Sequence, residues 1–293
     1  MTITTEFKQK VREAILKGAE NYGGSDNSYA KSLGLNGSVY SRLKKGEIER
    51  IISDALWLTI GRELNVQLRV SNWKIARTFV YNQIENNINF CQQTSKSMIL
   101  VDDCGIGKTF CARHIVRGLK NAFYFDCSQA KTKQQFIRQL AKTVGVDNTG
   151  RYVDVKSNLK YCLNTILELP IIVLDEAGDL DASAFLELKE MWNGTENTCA
   201  WYMMGADGLR AKINKGINNE KVGYAEIFDR FSDEFIKLVP VGKADRTEFY
   251  KELIGTVAIA NTTDKTKVKK LVHKCISKDK SLRHLETLIK IGA

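Results

Sequence analysis

The segment DDCGIGKT, residues 102–109, has the residue types of a phosphate-binding loop and directly follows the apolar run MILV. The general pattern of such loops is G-x-x-x-x-G-K-[ST]. Gly107, Lys108 and Thr109 fill its last three positions, but Asp102 takes the place of the first glycine. That position needs a tight turn, and aspartate tolerates left-handed backbone angles better than most residues. We therefore predict a working loop in which the Asp102 carboxylate points away from the phosphates; a chance match is the alternative.

A loop of this kind binds phosphate through its backbone. Its N–H groups surround phosphate oxygens, and the N-terminus of the following helix adds a partial positive charge. The lysine reaches the terminal phosphates and the threonine hydroxyl binds Mg²⁺. The pattern predicts ATP and Mg²⁺ as cofactors. The residues expected to contact the nucleotide are Cys104, Gly105, Ile106, Gly107, Lys108, Thr109 and Phe110.

Two acidic residues end a second apolar run, PIIVLDE, residues 170–176. Asp175 would lie at the carboxyl end of a strand, where it can orient water on Mg²⁺, and Glu176 could polarise an attacking water. Taken alone, the segment could also be a strand followed by an acidic turn. Together with the phosphate loop, it predicts Lys108 and Glu176 as catalytic residues and Thr109 and Asp175 as metal ligands.

Four apolar runs predict buried strands: MILV (98–101), AFYFDC (122–127), PIIVLDE (170–176) and TCAWYMMG (198–205). Helical stretches separate these runs, an arrangement typical of a parallel sheet covered on both faces. Residues 1–60 and the tail after Pro240 predict short helices. Residues 72–97 are expected to be helical at first and loop-like at their end. The predicted fold class is α/β, with all-helical segments at both ends.

The composition is that of an ordinary globular protein, 43% hydrophobic and 27% charged, with a net charge of +10. Residues 241–293 carry 12 basic and 6 acidic side chains, whereas residues 71–240 are nearly balanced. The surplus favours a nucleic-acid partner, and a solvated face that binds nothing is the alternative. No apolar run approaches the roughly 20 residues of a membrane span, so no membrane partner is expected. The seven scattered cysteines lack a C-x-x-C pair, which favours reduced thiols and a cytoplasmic location.

The phosphate loop, the segment IIVLDE and the helical tail together resemble an AAA+ ATPase. The resemblance implies an arginine that reaches a neighbouring subunit's nucleotide, placed shortly before the last strand of the sheet. Arg230, in AEIFDRFSDEF, suits this catalytic role, and an ion pair with Asp229 or Asp233 is the alternative.

The same resemblance implies two sensor positions. The segment SLRHLETLI places Arg283 over the phosphates, as a further nucleotide contact. The fourth strand should end in a polar first sensor, but WYMMGAD offers Gly205 and then Asp207. This departure from the pattern implies slow hydrolysis.

Residues 28–46, SYAKSLGLNGSVYSRLKKG, resemble a helix-turn-helix of the phage-repressor type. Ala30 is small, Gly34 suits the turn, and Val39 and Leu43 can pack the second helix. The exposed face of that helix would bond phosphates and base edges. Its candidate DNA-binding residues are Ser38, Ser41, Arg42, Lys44 and Lys45. Docking of a protein partner is the alternative.

The order of these parts is similar to the phage Mu B type of transposase-helper ATPase. The parts are a helix-turn-helix domain (1–65), a linker or helix (66–97), an AAA+ core (98–240) and a helical lid (241–293). The resemblance implies a homo-oligomer that assembles as a helical filament on double-stranded DNA with ATP, activates a transposase and dissociates after hydrolysis. It also implies that basic residues of the core line the DNA, for which the candidates are Lys131, Lys133, Arg151, Lys212 and Lys215. The alternative for each of them is a plain solvated residue, and the group as a whole is the prediction.

Three other functions are compatible with the sequence. A helicase loader of replication would have a helicase as its partner. A nucleotide-responsive transcription regulator would prefer one operator over random DNA at matched salt. A signalling ATPase would use residues 1–60 only to dock a protein.

Overall fold

The computed structural model describes residues 3–64, 66, 73–278 and 281–292. Its centre is a parallel sheet with the strand order β2-β3-β4-β1-β5. The strands are β1 (Met98–Val101), β2 (Ala122–Asp126), β3 (Ile171–Asp175), β4 (Ala200–Gly205) and β5 (Phe235–Ile236). Because the strands are parallel, the loops after β1, β3 and β4 meet at one edge, the usual place for a ligand in such sheets.

Helices flank the sheet and form both ends of the chain. The N-terminal unit contains α1 (Thr5–Glu20), α2 (Asp26–Ser32), α3 (Gly37–Lys44) and α4 (Asp54–Glu63). The central helices are α5 (Phe79–Thr94), α6 (Lys108–Arg117), α7 (Lys133–Val144), α8 (Tyr152–Tyr161), α9 (Ala182–Asn193), α10 (Asp207–Asn218) and α11 (Tyr224–Arg230). The tail contains α12 (Lys243–Asn261), α13 (Val268–Ile276) and α14 (Leu282–Ile291). Within the described residues, no helix is both long and apolar enough to cross a bilayer.

The four strands predicted from apolar runs are confirmed, each within two residues of its expected ends. Strand β3 is buried along its whole length, as expected for the interior of a sheet covered on both faces. Strand β5 has only two residues, which pair with Ile99 and Leu100 of β1. The fold class, an α/β parallel sheet with helical flanks, is therefore confirmed.

The helix expected in residues 72–97 starts later than predicted, whereas the loop expected at their end is present. The chain is irregular over residues 73–78, helix α5 then runs to Thr94, and residues 95–97 form the loop before β1. Thr78 sets the start of α5, because the Thr78 hydroxyl accepts the N–H of Tyr81 as an N-cap. Buried Ile84 and Ile88 pack the helix into the apolar cluster that contains Leu100 of β1. The segment is therefore part of the packing of the sheet.

The N-terminal unit packs tightly on the core. The Tyr22 hydroxyl donates to the carbonyl of Val144 at the end of α7, and the Tyr22 ring lies against Phe123 of β2. The Asn21 amide donates to the Arg117 carbonyl at 2.5 Å. Helices α2 and α7 are also in contact. The unit is therefore fixed to one side of the core.

Candidate nucleotide site

The phosphate loop has the backbone that its sequence predicts. Gly105 and Gly107 have φ angles of 79° and 99°, a left-handed region that strains other residues. Gly107 immediately precedes α6, so the N-terminus of the helix opens onto the loop. The Lys108 ammonium donates to the carbonyls of Asp102 and Asp103, both at 2.7 Å. These bonds hold the lysine against the loop, so phosphate would have to replace the carbonyls as the acceptor.

The Asp102 carboxylate points away from the loop. It is buried, and one of its oxygens accepts the N–H groups of Leu238 and Val239, the latter at 2.9 Å. The other oxygen accepts the N–H of Asp103 at 2.8 Å. The carboxylate therefore has the orientation that the sequence analysis requires, away from the side of the loop that would hold phosphates. Asp102 also attaches the loop to the segment between β5 and α12.

The next residue, Asp103, connects the loop to the tail. Its carboxylate lies 2.5 Å from the Arg246 guanidinium and accepts the Tyr250 hydroxyl at 2.6 Å, and both partners belong to α12. We call Asp103, Arg246 and Tyr250 the lid clasp. A single carboxylate thus joins the first turn of the phosphate loop to α12, the first helix of the tail.

The start of α14 also lies on the phosphate loop. The N–H of Leu282 donates to the Gly105 carbonyl at 3.2 Å. A Cβ atom on Gly105 would come within 2.4 Å of the Ser281 hydroxyl, so glycine is required here for space as well as for backbone angle. A cavity of about 720 Å³ lies beside these contacts, between the loop, the turn after β4 and α12. Its lining includes Asp103, Cys104, Asp207, Arg246 and Ser281.

The acidic pair lies at the end of β3, at the same edge of the sheet. Asp175 is buried; one of its oxygens accepts the N–H of Glu176 at 3.0 Å, and the other accepts the Tyr124 hydroxyl at 2.6 Å. The Arg113 guanidinium lies 4.8 Å from the centre of the Tyr124 ring, so α6, β2 and β3 are joined. Glu176 has a φ of 51°, which turns the chain sharply after the strand.

The charges at this edge influence one another. Burial raises the pKa of Glu176, and the negative charge of Asp175 raises it further. Burial lowers the pKa of Lys108, while Asp175 and Glu176 act in the opposite direction. The structure therefore brings together the lysine and both acids that the sequence assigned to one site. A carboxylate whose pKa is raised is a suitable proton acceptor near neutral pH.

Arg230 lies at the other edge of the sheet. Its guanidinium is 5.4 Å from the centre of the Trp192 ring, and Trp192 donates to the Ser97 hydroxyl at 3.0 Å. Ser97 directly precedes β1, whereas Lys108 follows the carboxyl end of that strand. Neither Asp229 nor Asp233 pairs with Arg230 among the contacts of the described residues. Arg230 is thus remote from the phosphate loop of its own chain.

The two sensor candidates lie near the loop. Arg283 is the second residue of α14, whose start contacts Gly105, and its side chain is exposed. Asp207 follows β4 by two residues and lies 3.2 Å from Arg210. Arg210 in turn donates to the Val101 carbonyl at the end of β1, at 3.2 Å.

The candidate DNA contacts fall into two groups. On α3, all five predicted side chains are exposed, although Arg42 and Lys44 form ion pairs with Glu47 and Asp26. In the core, Lys215 is exposed, whereas Lys131, Lys133 and Arg151 pair with Asp179, Glu187 and Asp154.

Lys212 differs from the expectation that it faces DNA. Its ammonium donates to the carbonyls of Gly178, at 2.9 Å, and Leu180, and lies over the Phe185 ring. Burial lowers its pKa, while Asp181 and Asp179 act in the opposite direction. In this arrangement Lys212 holds the turn after β3, and a contact of Lys212 with DNA stays a prediction.

Sequence reasoning missed the residues that support the site. Tyr124 is 51 positions from Asp175, and Arg246 and Tyr250 are more than 140 positions from Asp103, so no local pattern joins them. For Tyr124, the only available signal was its position in a strand that would pair with β3.

The order of the strands, the loop before α6 and the acids after β3 define an α/β P-loop fold of the AAA+ type. Residues 91–213 match the family model described as AAA domain. No curated protein sequence matches the chain.

Similar solved structures include two from bacteria. One is the RuvB Holliday junction branch migration motor of Thermotoga maritima, 14% identical, with a TM-score of 0.34 over 72% of this chain and 63% of that one. Another is NtrX from Brucella abortus in complex with ATP, 13% identical, with a TM-score of 0.35 over 82% of this chain and 64% of that one. The chain thus spans less than two thirds of the length of either protein.

Proposed function

We propose that the chain is an ATP-dependent, largely non-specific DNA-binding ATPase that assembles on target DNA and activates or directs a transposase. Hydrolysis would promote release from the DNA. The observation that carries the proposal is the separation of Arg230 from Lys108, at opposite edges of one sheet. If Arg230 acts on a nucleotide, that nucleotide belongs to a second copy, so a complete site requires assembly.

The residues present fit Mg²⁺ and ATP. Two glycines with positive φ, a lysine at a helix N-terminus, a hydroxyl and a buried carboxylate are the donor set that this cofactor requires. Bound Mg²⁺ would neutralise charge on the phosphates. Lys108 would contact the terminal phosphates, Thr109 and Asp175 would hold the metal, and Glu176 would accept a proton from water.

Support for DNA as the partner comes from exposed basic groups. The α3 face presents Ser38, Ser41 and Lys45 to solvent. The ion pairs of Arg42 and Lys44 are exposed, and such pairs are weak in solvent, so phosphate can replace the carboxylates. In the core, Lys215 is exposed and forms no ion pair among the described residues, whereas Lys131, Lys133 and Arg151, which are also exposed, would first have to leave their acidic partners.

Electron microscopy of the protein with random-sequence duplex DNA, with and without ATP, tests this function. We expect ordered filaments only with ATP, and none for a Lys108→Ala variant. Equal DNA binding with and without nucleotide would overturn the proposal. Isolated dimers on one preferred sequence would indicate the transcription regulator instead. Capture of a replicative helicase, and no stimulation of a transposase, would indicate the helicase loader.

A further inference from the structure

Helix α13 has one apolar and one basic face. Leu271 and Cys275 are buried against α12 and α14. The opposite face and the ends of the helix carry exposed lysines. We call Lys265, Lys269, Lys270 and Lys278 the α13 lysine face. The surplus of positive charge in the sequence is concentrated in this part of the chain, because residues 262–293 carry nine basic and three acidic side chains.

The lysines of this face lack acidic partners among the described residues. None of the four ammonium groups takes part in an ion pair with a carboxylate of that part of the chain. The contrast with Lys131, Lys133 and Arg151 is clear, because each of those pairs with a carboxylate. Four like charges that form no ion pairs among the described residues repel one another, and a polyanion relieves that repulsion.

We propose that the α13 lysine face binds the phosphate backbone of duplex DNA, an inference that rests on the proposed function. Helix α13 is about 14 Å long at 1.5 Å per residue, and Lys265 and Lys278 lie just beyond its two ends. Duplex DNA carries one negative charge per about 1.7 Å of its axis, so a duplex lying along the face offers each lysine a phosphate.

Two features favour duplex DNA over other polyanions. Residues 262–293 contain no Phe, Trp or Tyr, whereas grooves for single strands use aromatic side chains to stack bases. The apolar face of α13 is buried in the tail and is not available for insertion into an anionic membrane. Contact through phosphates alone also agrees with binding that ignores sequence.

The position of α13 links this face to the nucleotide site. Ile276, at the end of α13, lines the cavity beside Asp103 and Cys104. Ser281, which follows α13, is in close contact with Gly105. A movement of the phosphate loop on binding ATP would therefore also move α13. DNA binding by α13 would then depend on the bound nucleotide.

The test is the salt dependence of binding to random duplex DNA with ATP. The test variant carries Lys265→Gln, Lys269→Gln, Lys270→Gln and Lys278→Gln. The control carries Lys8→Gln, Lys120→Gln, Lys160→Gln and Lys251→Gln, four lysines that form ion pairs. Both variants lose the same net charge. The slope of log affinity against log salt falls by about 0.9 for each phosphate that the protein no longer neutralises.

We expect the slope of the test variant to decrease by about 3 to 4, and that of the control by less than about 1. The fourfold Lys→Arg variant should keep the slope of the unchanged protein. Unstimulated ATP hydrolysis and the melting temperature show whether each variant is folded. If the fourfold variant is unstable, the double variant with Lys269→Gln and Lys270→Gln replaces it, and we expect that variant to lower the slope by about 2.

A slope that is unchanged in the test variant, or reduced equally in the control, would overturn the inference while the proposed function stands. Binding to vesicles of anionic lipid in preference to DNA would also overturn it. DNA binding of the unchanged protein without ATP dependence would instead overturn the proposed function, and the comparison of slopes would still decide the role of α13.

Discussion

The carboxylate of Asp102 accepts the backbone N–H of Val239 at 2.9 Å, across 137 residues of chain. This contact explains how a loop of this shape accommodates aspartate where glycine is usual. The side chain is directed towards the segment after β5, where it accepts the backbone N–H groups of Leu238 and of buried Val239.

Restoring the usual glycine should therefore harm the protein. We expect Asp102→Gly to lower the free energy of unfolding by about 1–3 kcal/mol, because the N–H of Val239 loses its buried acceptor. Nucleotide affinity should change little, since the carboxylate does not face the phosphates. Denaturant unfolding and calorimetry with ATP measure the two effects. A variant as stable as the unchanged protein would contradict this role.

The lid clasp should affect nucleotide affinity more than chemistry. Arg246→Gln removes the 2.5 Å pair with Asp103, and we expect the KM for ATP to rise about tenfold, equivalent to about 1.4 kcal/mol, with a smaller change in kcat. Arg246→Lys should recover part of the loss. Lys251→Gln, on the same helix, is the matched control, because its pair with Glu248 is exposed.

The protonation of Glu176 should determine how the rate of ATP hydrolysis decreases at acid pH. Burial, and then the charge of Asp175, raise its pKa, and a general base acts only when it is deprotonated. The rate should thus rise with pH through a value above the ordinary range of glutamate and be lost as pH falls below it. Asp179→Asn removes a charge that raises this pKa, so it should move this decrease in rate to lower pH.

Removal of Glu176 should separate binding from hydrolysis. We expect Glu176→Gln to reduce kcat about 10²–10⁴-fold while ATP binding is retained. Complexes with DNA should then persist after ATP is added. Rapid release of DNA from this variant would show that hydrolysis is not the step that ends binding.

Tyr124 should act through Asp175. Tyr124→Phe removes the hydroxyl that donates to the carboxylate at 2.6 Å, and partners of this kind typically change metal affinity 10–100-fold. The Mg²⁺ concentration for half-maximal hydrolysis should rise at least about tenfold. Tyr161→Phe is the control, because Tyr161 is exposed.

Arg230 should act on a neighbouring copy. We expect Arg230→Ala and Lys108→Ala to be inactive separately, the former losing about 10³–10⁵ in rate. A mixture should regain activity, because a Lys108→Ala subunit still offers its Arg230 to an intact site on an Arg230→Ala subunit. No recovery in a mixture shown by light scattering to co-assemble would place Arg230 outside the reaction.

The sequence predicted the parts that depend on short-range pattern. The four longer strands follow from continuous apolar runs, and Lys108, Asp175 and Glu176 follow from motifs that lie at strand ends. The start of helix α5 was predicted too early. It depends on the Thr78 N-cap, which the overall polar composition of the segment does not reveal. Tyr124, Arg246 and the partners of Asp102 were beyond reach, since they are brought to the site only by the pairing of strands and the docking of the tail.

The inward position of Lys212 has the same kind of cause. A basic residue in a polar segment predicts a solvated or DNA-bound ammonium, but α10 brings this one over the turn after β3, where two carbonyls need donors. The composition of a segment gives the number of its charged side chains. It does not show which of these side chains are bonded within the folded protein and which are free to bind a partner.

The bond between Tyr22 and Val144 has a consequence for any multi-subunit form of the protein. Because α2 packs against α7, the helices of residues 3–64 are held against the core and do not move independently of it. The distance from one α3 to the next would then be dictated by how the ATPase cores stack. The geometry of that stack, and not the reach of a flexible arm, would decide which turns of a double helix are touched.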